Sequence, residues 1–126
     1  MTLTKSLLFA AVLSATAAGV AFAAPSRLTD VEFLQANRCL GLMSSKSLGE
    51  ADVAAVKALV GDQSRGRIGY ILDRGDQMRE DAARQAGRAG PDLRAHLIAE
   101  RDGVCRTLGQ STTASGGSSG HNSSIR

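Results

Sequence analysis

The sequence predicts an all-α fold: a small four-helix domain, irregular rather than up-down-up-down, and closed by one disulfide. Three observations lead to this prediction. Apolar residues recur at spacings of three and four, signals that begin and end helices separate these runs, and no stretch shows the alternation that is typical of a strand. With 126 residues the chain is long enough for one domain. The predicted helices span residues of about 29–43, 48–60, 64–87 and 91–108.

Residues 1–23 have the features of a secretory signal peptide. One positive charge, Lys5, precedes a long apolar run, and the small residues Ala21 and Ala23 stand where a signal peptidase would cut. The alternative is an uncleaved anchor helix, since Leu7–Ala24 is an almost wholly apolar run of 18 residues. The alanine content and the Ala-x-Ala ending favour cleavage.

Two capping boxes predict where the first two helices begin. Thr29 and Glu32 can exchange side-chain and backbone hydrogen bonds, and Ser47 and Glu50 repeat this spacing. Gly61 is expected to end the second helix in a left-handed conformation. Between these signals the apolar residues keep helical spacing: Phe33, Ala36, Leu40 and Met43 in the first helix, and Val53, Val56 and Val60 in the second.

Apolar stripes predict the third and fourth helices. The third stripe narrows to small residues, and its glycines indicate either a close helix contact or a frayed first turn. Pro91 at a first helical position, followed by Asp92 near the positive end of the helix dipole, predicts the start of the fourth helix. The stripes are Ile68, Leu72, Gly75, Met78, Ala82 and Ala86 in the third helix, and Leu93, Leu97, Val104 and Leu108 in the fourth.

Composition predicts the remaining boundaries. From residue 110 the chain is rich in Ser and Gly and has no large apolar residue until Ile125. Burial therefore cannot offset the entropy of ordering this stretch. We expect a helical domain over residues 24–109 and a disordered tail over residues 110–126.

The two cysteines, Cys39 and Cys105, are predicted to form one disulfide. A small core is marginally stable, and an exported chain meets an oxidising compartment. The alternative is a pair of buried free thiols. Both cysteines lie toward the C-terminal ends of their helices, which a regular up-down-up-down bundle would hold apart. The disulfide therefore predicts irregular packing.

One set of side chains has the spacing of a metal site. Asp92, His96 and Glu100 follow one another at four-residue intervals, so they share a face of the fourth helix and could hold a divalent cation. A solvated helix face explains the same spacing. On the third helix, acidic residues stand three or four positions from arginines, which predicts surface ion pairs rather than catalytic carboxylates. These pairs are Asp76 with Arg79, Asp81 with Arg84, and Glu80 with Arg84.

Charge and aromatic content argue against nucleic-acid binding. The chain holds 15 Lys and Arg against 12 Asp and Glu, and without Lys5 of the leader 14 basic residues remain, 15 − 1. Phe33 and Tyr70 are the only aromatic residues beyond the leader, too few for platforms on which bases stack. Five arginines are the candidates for a basic patch: Arg65, Arg67, Arg74, Arg84 and Arg88.

The sequence predicts a non-enzymatic protein, periplasmic or secreted, that binds an envelope protein of unknown identity and carries no cofactor. Neither of its two histidines stands near a candidate nucleophile. The binding surface is expected on the charged face of the third helix or at the corner between the first two helices. The alternative is a small-ligand or divalent-metal carrier that uses Asp92, His96 and Glu100. No stable membrane insertion is expected after cleavage of the leader.

Overall fold

The computed structural model describes the backbone of residues 26–116 and the side chains of residues 26–111. All regular elements in this range are helical and none is a strand, which confirms the all-α prediction. The predicted leader, residues 1–23, and residues 117–126 of the predicted tail lie outside the described residues. The elements are α1 (Asp30–Met43), a 3-10 turn (Lys46–Leu48), α2 (Ala54–Ser64), α3 (Gly69–Arg88), α4 (Pro91–Glu100), a π turn (Arg101–Cys105) and α5 (Arg106–Gly116).

The last three elements form one continuous helical segment, so the described residues contain the four helices that the sequence predicts. The backbone stays in the right-handed helical region at Glu100, Arg101 and Arg106, where the elements join. The segment continues to Gly116, past the predicted end at residue 108 and into residues predicted as tail.

The first capping box is present at the start of α1. The Thr29 N–H donates to Oε2 of Glu32 at 2.8 Å, and the Glu32 N–H donates to the Thr29 hydroxyl at 3.3 Å. Hydrogen bonding to Thr29 also lowers the pKa of the Glu32 carboxyl. The helix buries the face that its spacing predicts, comprising Phe33, Ala36, Leu40 and Met43.

The second capping box does not form, and the predicted start of the second helix near residue 48 is wrong. Ser47 lies inside the 3-10 turn, and Gly49 follows with φ of 92°, a conformation that no helix interior contains. The helix begins instead at Ala54, whose N–H donates to the Asp52 carboxylate at 3.0 Å. The 3-10 turn that ends at Gly49 therefore overrides the capping sequence.

The connection between α2 and α3 also differs from the prediction. Gly61 does not end the second helix, which continues to Ser64. The residue with a left-handed conformation is Gly66, with φ of 71°. Because that conformation interrupts a helix, the third helix begins at Gly69 rather than near residue 64.

Two glycines allow α1 and α3 to pack closely. A Cβ at Gly41 would overlap the carbonyl oxygen of Arg79, and a Cβ at Gly75 would lie 2.9 Å from Nδ2 of Asn37. Asn37 is buried, and its side-chain amide has a hydrogen-bond partner, since Nδ2 donates to the Phe33 carbonyl at 3.0 Å. Asn37 of α1 lies at Gly75 of α3, and Gly41, one turn further along α1, lies at Arg79, one turn further along α3. The two helices therefore run in the same direction. At Gly75, the structure confirms the prediction that a glycine of α3 marks a close helix contact.

The packing is irregular, as predicted. In the described residues, α2 with α3 and α3 with α4, which are neighbours in the chain, make few contacts. Instead α1 is central and packs on α2, α3 and the π turn, while α5 packs on α2. The predicted disulfide joins Cys39 of α1 to Cys105 of the π turn, with 5.2 Å between their Cα atoms, and both residues are fully buried.

The π turn changes which side chains of the fourth helical segment face the core. The Arg106 N–H donates to the carbonyl of Arg101, five residues earlier rather than four. The apolar stripe is therefore wrong at Val104, which is 55% exposed while Cys105 is buried in its place. Leu108, the last residue of the predicted stripe, is partly buried and packs against the core. Leu93, 40% exposed, lies at the edge of the stripe.

Candidate functional site

Arg67 holds together the end of the molecule where α1 and α3 begin. Its side chain is only 4% exposed and forms an ion pair with Asp30. Nε donates to the Gln63 carbonyl at 2.8 Å, and Nη2 donates to the Leu28 carbonyl. The guanidinium carbon lies 4.4 Å from the centroid of the Phe33 ring. One side chain therefore joins the end of α2, the chain before α1, and α1 itself.

The chain before α1 has further attachments to the same connection. The Leu28 N–H donates to Oε1 of Gln63 at 2.9 Å. Nη2 of Arg27 donates to the carbonyl of Arg65 at 3.0 Å. Together with the contacts of Arg67, these bonds fix the relative positions of the N-terminal ends of α1 and α3.

Three large apolar side chains are exposed at these helix ends. Val31 is 76% exposed, Ile68 is 67% exposed, and Tyr70 is 72% exposed. Because Arg67 binds Asp30, the residues that follow each of them, Ile68 and Val31, lie at the same end of the molecule, and Tyr70 lies in the first turn of α3. We call Val31, Ile68 and Tyr70 the N-terminal corner.

Five charged side chains of α3 form ion pairs along the helix. Arg79 binds Asp76 at 2.8 Å, and Arg84 binds both Asp81 and Glu80, the latter at 3.5 Å. The predicted ion pairs are thus all present. Exposed pairs of this kind contribute little stability, and the pairing reduces the charge that these five side chains offer to a partner.

Glu100, one of the three candidate metal ligands, is engaged by α1. Nε of Arg38 donates to Oε1 of Glu100 at 2.7 Å, and Nη2 donates to Oε2 at 2.9 Å, a two-pronged ion pair. This hydrogen bonding lowers the pKa of the Glu100 carboxyl. Arg38 also donates to Oε1 of Gln85 at 3.3 Å, so α1, α3 and α4 meet at one guanidinium.

The structure does not assemble the predicted trio into a metal centre. Asp92 and His96 are exposed, whereas Glu100 is turned toward Arg38. Within residues 26–116, no group of three or more His, Cys, Asp or Glu side chains could hold a metal ion. A cation at this face would have to compete with Arg38 for Glu100.

A polar groove of about 480 Å³ opens beside the π turn. Its wall carries both signs of charge, and these charges are partly paired. Nε of Arg101 binds Asp102 at 2.9 Å, and Arg106 approaches the same carboxylate at 3.9 Å. Arg101 also donates to the carbonyl of Leu48. The groove therefore offers no concentration of one charge to an ionic ligand.

Sequence reasoning missed the role of Arg67. The sequence suggests a basic patch of Arg67 with four other arginines, yet its side chain is buried and bound to a carboxylate and two carbonyl groups. The signal in the sequence is weak: Arg67 follows Gly66, a residue that can break a helix, and such a junction leaves carbonyl groups that need donors.

The chain matches no known protein family, no characterised protein sequence and no solved structure. Between residues 26 and 116, no helix has the length and apolar character needed to cross a bilayer. The disulfide is compatible with a periplasmic or extracellular location.

Proposed function

We propose that this protein is an exported, non-enzymatic module that binds another protein of the cell envelope through the N-terminal corner. One observation carries the proposal: Tyr70 and Ile68, adjacent in the chain but for one glycine, are 72% and 67% exposed. Exposed apolar groups that cluster, rather than occur singly, are typical of interaction surfaces.

The composition and rigidity of the N-terminal corner support a protein partner. Tyrosine is enriched among residues that dominate binding energy, because it offers a large apolar area at a small cost in side-chain entropy. The contacts of Arg67 hold the corner in place before any partner arrives. A preformed surface loses less entropy on binding.

The leader and the disulfide support the location that we propose. Residues 1–23 have the pattern of a signal peptide, and Cys39 is bonded to Cys105. We therefore propose the periplasm or the exterior as the site of action, with a partner resident in the same compartment.

A crosslinking pull-down from the native envelope fraction tests this proposal. The bait is the mature chain, residues 24–126, compared with a double variant Ile68→Ser, Tyr70→Ser. The matched control is Leu93→Ser, Val104→Ser, which removes exposed apolar side chains away from the N-terminal corner.

The proposal predicts one stoichiometric partner that the parent and the control retain and the corner variant loses. The purified partner should then bind the parent and the control directly, and should bind the corner variant more weakly. Equal capture by all three baits, or loss in the control alone, would contradict the N-terminal corner as the binding surface. Absence of any partner would contradict the function itself.

A further inference from the structure

The helical segment that follows Pro91 carries two alternative buried faces in its sequence. In an uninterrupted α-helix, Val104 and Leu108 would follow Leu97 on one apolar stripe. In the structure, Cys105 and Gly109 are buried, Leu108 is partly buried against the core, and Val104 is 55% exposed. The cause is the π turn, which displaces every later residue by about one position, or about 100° of rotation.

Contacts at both ends of the π turn hold the helix in this rotation. Glu100, which precedes the turn, is bound by Arg38, and Arg101, its first residue, donates to the carbonyl of Leu48. At its last residue, the disulfide ties Cys105 to Cys39, with 5.2 Å between Cα atoms. Because π hydrogen bonding occurs rarely and in single turns, an external restraint is needed to keep it, and the covalent bond is the strongest one present.

We propose that the Cys39–Cys105 disulfide selects the rotational register of this helix. In the oxidised protein the π turn is present, and Cys105 and Gly109 face the core. In the dithiol form the π turn closes to α-helix, and Val104 rotates inward. The gain is burial of a valine side chain that is 55% exposed in the present register.

The chemical step is a thiol–disulfide exchange. The two cysteine thiols of the newly exported chain give up two protons and two electrons, and a sulfur–sulfur bond forms between Cys39 and Cys105. The oxidant is a protein or small-molecule disulfide, which becomes a dithiol. Since both cysteines are fully buried, reversal of this step requires local opening of the helix.

The register also determines which face of α5 meets α2. At present Gly109 lies against α2, where an added Cβ would be 3.5 Å from Cβ of Ala55 and from Cγ2 of Val56. A rotation of about 100° carries this glycine away and presents another face of α5. The oxidised and dithiol forms are therefore expected to differ in the surface around α5, independently of the N-terminal corner.

Methyl NMR of the mature chain with a soluble gadolinium chelate as the probe tests this proposal. The comparison is between the oxidised protein and the same protein reduced by a phosphine, with a cysteine-free Cys39→Ala, Cys105→Ala variant beside them. We expect the Val104 methyl signals to be broadened by the probe in the oxidised form and protected in the other two. Protection of Leu97, which precedes the π turn, should stay the same in all three.

A pair of aspartate variants tests the same rotation by stability. Val104→Asp should lower the urea midpoint of the reduced protein and leave that of the oxidised protein nearly unchanged. Ala99→Asp, an exposed position before the π turn, should have equal effects in both forms. Equal broadening of the Val104 signals in both redox forms would overturn the proposal. A reduced protein that is fully unfolded would also overturn it. In either case the dithiol form would not contain the uninterrupted α-helix that turns Val104 inward.

Discussion

The guanidinium of Arg67 lies over the ring of Phe33, with 4.4 Å from its central carbon to the ring centroid. Phe33 is 1% exposed and the Arg67 side chain 4%, so the stacking takes place inside the protein. Cation–π contacts strengthen when both groups are removed from water. This pair anchors the N-terminal corner, and its removal should lower the free energy of unfolding of the whole domain.

We expect Arg67→Met to lower the free energy of unfolding by about 2–3 kcal/mol, because two partly buried carbonyl groups lose their donor and the cation–π contact disappears. Urea denaturation of the mature chain measures this change. Arg74→Met is the control, since Arg74 is exposed and makes one 3.3 Å contact with Gln77. The control should change stability by less than about 0.5 kcal/mol. Equal losses in the two variants would contradict a structural role for Arg67.

Gly75→Ala should destabilise the protein by about 1–3 kcal/mol, because the new methyl group would meet Asn37 and Phe33 in the contact between α1 and α3. Gly61→Ala should instead stabilise by about 0.5–1 kcal/mol, since its helical position has open space around it. Thermal unfolding of the two variants gives opposite shifts if the helices approach as described. A stabilising Gly75→Ala would show that the close approach is absent.

The Arg38–Glu100 ion pair should contribute to the decline of the free energy of unfolding at acid pH, the acid limb of the stability curve. The pKa of the Glu100 carboxyl is lowered from 4.5 in the folded protein. The ion pair therefore adds its full share to the free energy of unfolding above pH 4.5, and this share is lost as the pH falls through the pKa of the folded protein. Glu100→Gln should therefore reduce stability at neutral pH and flatten its decline on acidification. Glu80→Gln, at an exposed ion pair, is the control. Identical acid limbs for the Glu100 variant and the parent would contradict this role.

Reduction of the disulfide should lower the free energy of unfolding by about 4 kcal/mol, because the bond closes a loop between residues 66 positions apart. A domain of this size has about 5–15 kcal/mol to lose, so a folded dithiol form is expected to persist. Urea unfolding with and without a phosphine reductant measures the difference. A loss far below this value would indicate that the reduced, unfolded chain already keeps Cys39 near Cys105.

Local signals in the sequence predicted α1 well and α2 poorly, for a physical reason. Thr29 and Glu32 stand before a stretch without glycine, so the capping box could form. The same spacing at Ser47 contains Gly49, whose positive φ directs the chain into a turn. Capping sequences thus predict a helix start only where the residues they enclose can adopt helical angles.

Long-range geometry could not be obtained from local patterns. A periodicity of 3.6 residues predicts Val104 in the core, because nothing in the local sequence marks the π turn between Arg101 and Cys105. Arg67 was treated as a surface charge because its partners lie on other elements, at Leu28 and Asp30. Glu100 was likewise considered as a metal ligand because Arg38 is 62 residues away in sequence.

Site-specific photocrosslinking tests the central claim, that the N-terminal corner binds an envelope protein, most directly. A benzophenone amino acid replaces Tyr70 in one chain and Leu93 in another, and both are produced with their native leader and irradiated in intact cells. We predict that the chain labelled at position 70 forms one discrete crosslinked species and that the chain labelled at position 93 does not. Crosslinking from position 93 alone, or from neither position, would contradict the claim.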